Sequence, residues 1–334
     1  MERRFDISQP MQVGGQAVLE GVMMRAPGMV ATAVRKANGE IVVKKEPHVS
    51  LGERYPFLKL PILRGAVGLI EMLVIGMRTL NFSAEVAMED ADASNGRNGR
   101  SSNGQAKRKG ESLKLGITVA VSLLIGVAIF FVTPLFVTTS LFVVDQEPFA
   151  FNLIAGAIRI AMLLVYLGLI SLMKDIRRLF QYHGAEHKAV FAFELGAGLT
   201  VKGAARQIRF HPRCGTSFLL IVMVVSILLF SVLDALLISR LGSIDLITRL
   251  LTHLPLIPLV GGISYEFIKA SAKRSNTPIG KMIVAPGLWL QKITTKEPDE
   301  SQLEVAVVAL RCALGEEHVV SSPVNILATE ASVN

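Results

Sequence analysis

The sequence is short of charge, of cysteine and of aromatic side chains. Only 19% of its 334 residues are Asp, Glu, Lys or Arg, while 51% are hydrophobic, and the mean hydropathy is +0.48. A water-soluble chain of this length needs far more polar surface. Cysteine occurs only at Cys214 and Cys312. Two thiols so far apart make no disulfide framework and fit a reducing compartment. The opening MERRFDISQPMQ lacks the apolar stretch of a secretory signal. Aromatics make up 6% and are not interleaved with the basic residues, so the formal charge of +8 does not read as a nucleic-acid surface. In an apolar chain that excess belongs to loops facing anionic lipid.

What the sequence has instead is long apolar runs. Residues 115–144 carry no charge, 149–173 carry only Arg159, 214–233 are again uncharged, and 246–267 contain Arg249, His253 and two prolines. A helix crosses a bilayer core with about 20 apolar residues, so these predict four spans, the first kinked or ended at Pro134 and the last stabilised by its neighbours despite its prolines. The turn at 145–148 has no Lys or Arg, whereas the 174–213 loop and the stretch after 268 are basic. By the positive-inside rule both termini and the 174–213 loop are cytoplasmic. Arg159 is expected to snorkel or to pair with Asp145 or Glu147.

The fold class expected is therefore a mainly α membrane protein: about four transmembrane helices plus an amphipathic helix, a small N-terminal β-rich cytoplasmic region, and a C-terminal amphipathic helix. Residues 1–57 form the β-rich region. There ATAVRKANGEIVV alternates on both sides of Asn38-Gly39, which predicts a type I′ hairpin. Residues 58–88 predict an interfacial amphipathic helix, because Arg64, Glu71 and Arg78 recur every seven residues and fall on one stripe. That stripe faces water, or docks on a polar site within the protein. The Gly-, Ser- and Asn-rich residues 89–112 read as a flexible linker. Spans one and two lie in 113–173, a cytoplasmic loop in 174–213, and spans three and four in 214–268. The tail, 269–320, contains a helix with Leu303, Val307, Leu310 and Leu314 on one face and Asp299 or Ser301 as its cap, with Cys312 a small residue upon it. Residues 321–334 read as a disordered end.

Chemistry concentrates in one loop. QYHGAEHK contains His183-x-x-Glu186-His187, the inverted zincin pattern. On a helix, imidazoles at i and i+4 share a face and can grip one ion, and the intervening glutamate can take a proton from water that the ion acidifies. Gly184 weakens such a helix by about 1 kcal/mol relative to Ala. In RFHPRCGTSF, His211 and Cys214 stand three apart around Pro212. Cys214 opens the third span, beside Arg213 and at a helix N-terminus, both of which favour the thiolate. His183, His187, His211 and Cys214 together make a tetrahedral zinc set, closed and structural if all four bind. With three, a position stays open and Glu186 is the natural base. Glu194, two turns beyond His187, is an alternative ligand. Glu266, at the cytoplasmic end of the fourth span, calls for a metal or an arginine such as Arg64. Gln16, Glu20 and Arg25 brace a turn or close over the site. The plain alternatives are histidines that only bond backbone carbonyls, and a Cys214 nucleophile with a histidine base.

The stretches GGQAVLEGVMMR, YHGAEHK, HPRCGTSF and PGLWLQKITTKEPDESQLEVAVVAL together resemble the YqhQ-like family of bacterial membrane proteins, domain of unknown function 1385. The resemblance covers nearly the whole chain apart from the linker and the last residues. It implies the bacterial inner membrane and a family labelled in places as metal-dependent enzymes, and it supplies no substrate. Two functions are expected. One is a metal-dependent hydrolase, with a divalent metal, zinc by its ligands, and Glu186 as catalytic base, acting on a membrane-associated substrate. The other is a membrane scaffold or assembly factor with a structural His/Cys cluster. Membrane lipids and a partner protein are the expected contacts, with no nucleic acid. A transporter is disfavoured because no pair of broken helices repeats.

Overall fold

The computed structural model describes residues 13–94, 117–118, 120–272, 277–316 and 322–328. Four strands open the chain: β1 (Gly14–Val18), β2 (Gly21–Ala26), β3 (Met29–Arg35) and β4 (Ile41–Pro47). A short α1 (Leu51–Arg54) leads to the long α2 (Leu63–Ser94). Next come α3 (Ala120–Leu141), α4 (Pro148–Ile170), α5 (Lys174–Glu194) and the short α6 (Val201–Ala205). Then follow α7 (Gly215–Leu241), α8 (Leu246–His253), α9 (Ile257–Ala272), α10 (Pro278–Thr294), α11 (Glu300–Ala313) and a final strand, β5 (Val324–Ala328).

The five strands form one sheet in sequence order, antiparallel except for β5, which runs parallel to β4 with Ile41 opposite Val324. The end of the chain therefore differs from the disordered segment expected for 321–334, at least over 324–328. The signal was short and lacked alternation with charge, and only the free edge of β4 gives it a partner. The β3–β4 connection also differs in kind from a type I′ turn. Lys36 N–H bonds Glu40 O, Gly39 N–H bonds Lys36 O, and only Gly39 in the turn takes a positive φ, 89°. This is a three-residue loop with a glycine bulge, where a type I′ turn needs positive φ at both centres.

Both faces of the sheet are covered. Val22, Met24, Ala33, Ile41 and Val43 pack on α5 and α11, while Val18, Val34 and Val42 pack on Phe82 and Val86 of α2. Double coverage explains why VMM in β2 reads as a continuous apolar run. Helix α11 starts on the expected cap, Asp299, in a full capping box with Gln302. Its burial departs from the one-faced helix expected of the tail. Every residue from Gln302 to Leu310 is buried, because the sheet lies on one side and α5 and α6 on the other. Cys312 is buried on it.

Helices α3, α4, α7 and the continuous run from α8 through α9 are each long and apolar enough to cross a membrane. They pack around Phe131, Leu135, Phe151, Phe230 and Val260. At Gly156 a Cβ would stand 2.3 Å from Ile227, so α4 and α7 meet at a small residue. Helix α3 continues through Pro134 after a π-helical turn at Ala128–Val132. Pro134 has no N–H to offer the Phe130 carbonyl four residues back, and Arg159 of α4 supplies one instead, Nε to O at 3.0 Å. Arg159 thus serves the backbone of its neighbour, with the Phe131 ring 5.0 Å away, and not Asp145 or Glu147.

Helix α2 differs from the interfacial helix expected over 58–88. Its first turns pack on α9, where a Cβ on Gly65 would meet the Gly262 backbone at 3.0 Å. Its later turns cover the sheet. The charged stripe is divided accordingly: Arg64 pairs with Glu266, Glu71 accepts the Leu51 N–H, and Arg78 is exposed. The helix also takes in residues 89–94 of the expected linker, whose residues 95–112 lie outside the described part.

A candidate metal centre on helix α5

Spacing on α5 sets His183, Glu186 and His187 on one side of the helix. His183 Nδ1 bonds the Thr294 carbonyl at 2.8 Å, and His187 Nδ1 bonds the Arg209 carbonyl at 2.5 Å. A carbonyl only accepts, so each Nδ1 carries the proton and each Nε2 presents a lone pair. His183 Nε2 lies 3.3 Å from Cys214 Sγ. The ligand atoms of His183, His187 and Cys214 all lie within 4.8 Å of one another. His187 Nε2 is buried and makes no hydrogen bond among the described residues. Glu186 Oε2 stands 3.8 Å from both Nε2 atoms. Burial lowers the His187 pKa, with the nearby Cys214 pulling the other way, so the imidazole favours its neutral, ligating form.

Cys214 is the N-cap of α7 and accepts the Thr216 N–H at 3.4 Å. The bend that delivers it is clamped by Gln291 of α10. Gln291 Oε1 accepts the His211 N–H at 2.8 Å, and its Nε2 donates to His211 O at 2.8 Å and to Ser217 Oγ at 3.2 Å. His211 itself is turned aside. Its Nδ1 accepts the Arg213 N–H at 3.2 Å and its Nε2 faces Glu194 Oε2 at 3.3 Å. Both nitrogens are occupied, so three of the four expected ligands converge and His211 lies beside them, its ring 5.7 Å from that of His187. Burial lowers its pKa as well. Glu194 is engaged by His211 and Arg213. It lies outside the cluster of His183, His187 and Cys214.

Glu186 is buried, and burial raises its carboxyl above the usual range, against the pull of His183 and His211 and of the Gly15 N–H. Strand β1 closes this side: a Cβ on Gly15 would stand 2.9 Å from Glu186 Cγ. The opening segment thus meets the site through a glycine. Glu20 is taken by Arg178 and by the Tyr182 hydroxyl at 3.3 Å, and Arg25 bonds the Met72 sulfur at 3.3 Å. Gln16 lies against Gly76 of α2. Glu266 forms its ion pair with Arg64 at the α2–α9 contact.

The segment after α10 crosses α5 at Gly184. A Cβ there would stand 2.1 Å from the Lys296 carbonyl, and Lys296 N–H bonds Phe180 O at 2.8 Å. The glycine that weakens the helix is what lets this strap lie on it and bring Thr294 to His183. Lys188 and Arg209 both pair with Glu297 on the same strap. Gly15, Gln291, Thr294 and Glu297 were not singled out from the sequence. The last three lie within the PGLWLQKITTKEPD stretch, yet a carbonyl or an amide clamp leaves no pattern of its own.

Two neutral imidazoles with lone pairs and one sulfur can hold a divalent cation. Ligand atoms around tetrahedral zinc lie about 3.5 Å apart, close to the 3.3 Å between His183 Nε2 and Cys214 Sγ. The two carbonyls behind the rings are the outer partners that such ligands require. Three protein ligands leave a fourth position open.

A family model described as a protein of unknown function (DUF1385) matches residues 60–316, which contain every ligand candidate. The uncharacterized protein YqhQ of Bacillus subtilis (strain 168) is 34% identical over 302 residues, 89% of this chain and 91% of the relative. No solved structure matches. The chain belongs to the DUF1385 family of proteins of unknown function.

Proposed function

We propose that this protein is a metal-dependent hydrolase of the bacterial cytoplasmic membrane. In this reading His183, His187 and Cys214 hold a divalent cation, zinc by their chemistry, and the site faces the cytoplasm at headgroup level. The observation that carries it is the convergence of His183 Nε2, the buried His187 Nε2 and Cys214 Sγ within 4.8 Å, with each ring's Nδ1 already fixed on a backbone carbonyl. A bound cation would use all three lone pairs at once, where a thiol proton can satisfy one imidazole at a time. The four apolar helices, at 22 to 27 residues, support membrane insertion, since about 20 residues span the core. The basic 174–213 loop supports the orientation.

Bound there, the cation would supply Lewis acidity for a carbonyl or phosphoryl oxygen and for water. Glu186 Oε2 takes the proton of the attacking water and returns it to the leaving group. A carboxyl raised by burial suits both halves of that transfer. Strand β1 and the strap over Gly184 keep bulk water from the rings.

Metal analysis tests the reading. Purified wild type carries about one zinc per chain, and His187→Ala and Cys214→Ala lower affinity by about 100-fold or more, the loss of one ligand. Near-zero metal in wild type and variants alike refutes it. The second reading, a scaffold with a structural cluster, is favoured by the His183–Cys214 contact, which joins α5 to α7. Glu186→Gln separates the two. A folded, metal-loaded and inactive variant indicates catalysis, and a fully active one a structural site.

A further inference from the structure

A cavity of about 600 Å³ runs between α7, α9 and α10, within the range of small-molecule sites. It begins at Pro212, Cys214 and Ser217 and continues along α7 as far as Val232. At 1.5 Å per residue that path is about 27 Å long. This is a channel with the length of an extended aliphatic chain. Its walls past the first turn are apolar, Ile221, Leu228, Phe267 and Ile283 among them. The exception, Ser271, returns its hydroxyl to the Phe267 carbonyl at 2.8 Å. A peptide laid in this channel would bury N–H and C=O groups with nothing to bond. A hydrocarbon chain asks for no such partner. On one side Val224, Leu228 and Val232 are half exposed, so the channel opens laterally, toward the surface that faces lipid if these helices span a bilayer.

We infer that the channel binds a long aliphatic chain of a lipid, with the lipid's polar end delivered to Cys214 and the His183–His187 pair. The inference rests on the proposed metal site for its chemistry and names the substrate class of that site. Chain binding itself depends only on the channel. The alternative sources of a tail, a helix from a second copy or bulk lipid held anywhere on the apolar surface, give different results in the same experiment.

The test uses two long-chain fatty acids carrying a diazirine, one near the carboxyl end and one near the methyl end, photolysed with the full-length protein in nanodiscs. The carboxyl-end probe labels residues around 214–221, and the methyl-end probe labels residues around 228–232. Leu228→Trp fills the channel and lowers competable labelling about tenfold, the effect of displacing roughly two buried methylenes. Leu236→Trp, on the exposed face of α7 beyond the channel, leaves labelling and thermal unfolding as in wild type. Zinc content is measured on the same samples. His183→Ala that loses zinc but keeps channel labelling supports the inference separately from the metal. Zinc retained with labelling spread over α3 and α4, or insensitive to Leu228→Trp, overturns the channel and leaves the metal site standing. Cross-links only between two protein chains overturn it in favour of a second copy.

Discussion

At the scale of single residues, Gly184 separates local preference from tertiary demand. Alanine in a helix interior is favoured over glycine by about 1 kcal/mol, so Gly184→Ala should stabilise α5 taken alone. In the folded protein the new methyl would overlap the Lys296 carbonyl, and forcing atoms into a packed site costs about 1–3 kcal/mol. The expected outcome is a lower midpoint of thermal unfolding in detergent, together with weaker metal retention as the strap lifts and carries Thr294 from His183. A rise in the midpoint would mean that the strap does not press on α5. Much of the site at this scale was legible. A period of four brings His183 and His187 together, and Pro212 followed by an apolar run marks Cys214 as a helix start. The position of His211 was not legible, because the Arg213 N–H two residues on and a distant Glu194 compete for its nitrogens. Spacing does not report such competition.

At the scale of elements, the far end of the bundle is held by a buried polar group. Asp234 of α7 accepts from Asn152 of α4 at 2.8 Å, from Arg249 of α8 at 3.0 Å, and faces His253 Nε2 at 2.8 Å. Asp234, Arg249 and His253 are fully buried. The Phe151 ring lies 3.6 Å from the Arg249 guanidinium, and Phe230 stacks on His253. Removing one member of a buried ion pair leaves the other charge uncompensated, at about 3–5 kcal/mol. Asp234→Leu should therefore lower stability strongly, and adding Arg249→Met should recover much of the loss. The recovery is incomplete, because Asn152 and His253 also lose their acceptor. Thermal unfolding of the single and double variants in one detergent checks the order; equal stability of the two would show that the pair is not coupled. The four long apolar helices were legible from length and hydropathy, and Arg64 was one of the two kinds of partner expected for Glu266. The Arg159–Phe130 bond was not. It answers a backbone vacancy made by Pro134 on another helix, and pairing rules for charges do not anticipate a carbonyl.

At the scale of the whole molecule, the two ends of the chain build one layer. The N-terminal strands need α11 on one face and β5 at one edge, and Glu304 of α11 ties the join by binding Arg35 at 2.6 Å and the Ser322 hydroxyl at 2.9 Å. A chain ending after Glu316 leaves the β4 edge open, a template for pairing with other chains. It should unfold at lower temperature and form more aggregate on size-exclusion chromatography, with Ser322→Ala alone causing a much smaller change. Unaltered melting and elution would remove β5 from the stable fold. Local sequence signals revealed the hairpin between β3 and β4 and the last helix. They could not reveal that the 276 residues from 48 to 323 separate two neighbouring strands of the same layer, since proximity of that kind is set by topology.

Because Gly15 seals Glu186 while α11 supplies the floor under β2 and β3, the candidate site leans on residues made before and after all the long apolar helices. A ribosome stalled before residue 300 would release a product with its helices made and its sheet uncovered. Such a product should be cleaved within its bare strands more readily than the full chain, since α11 is missing from their apolar face.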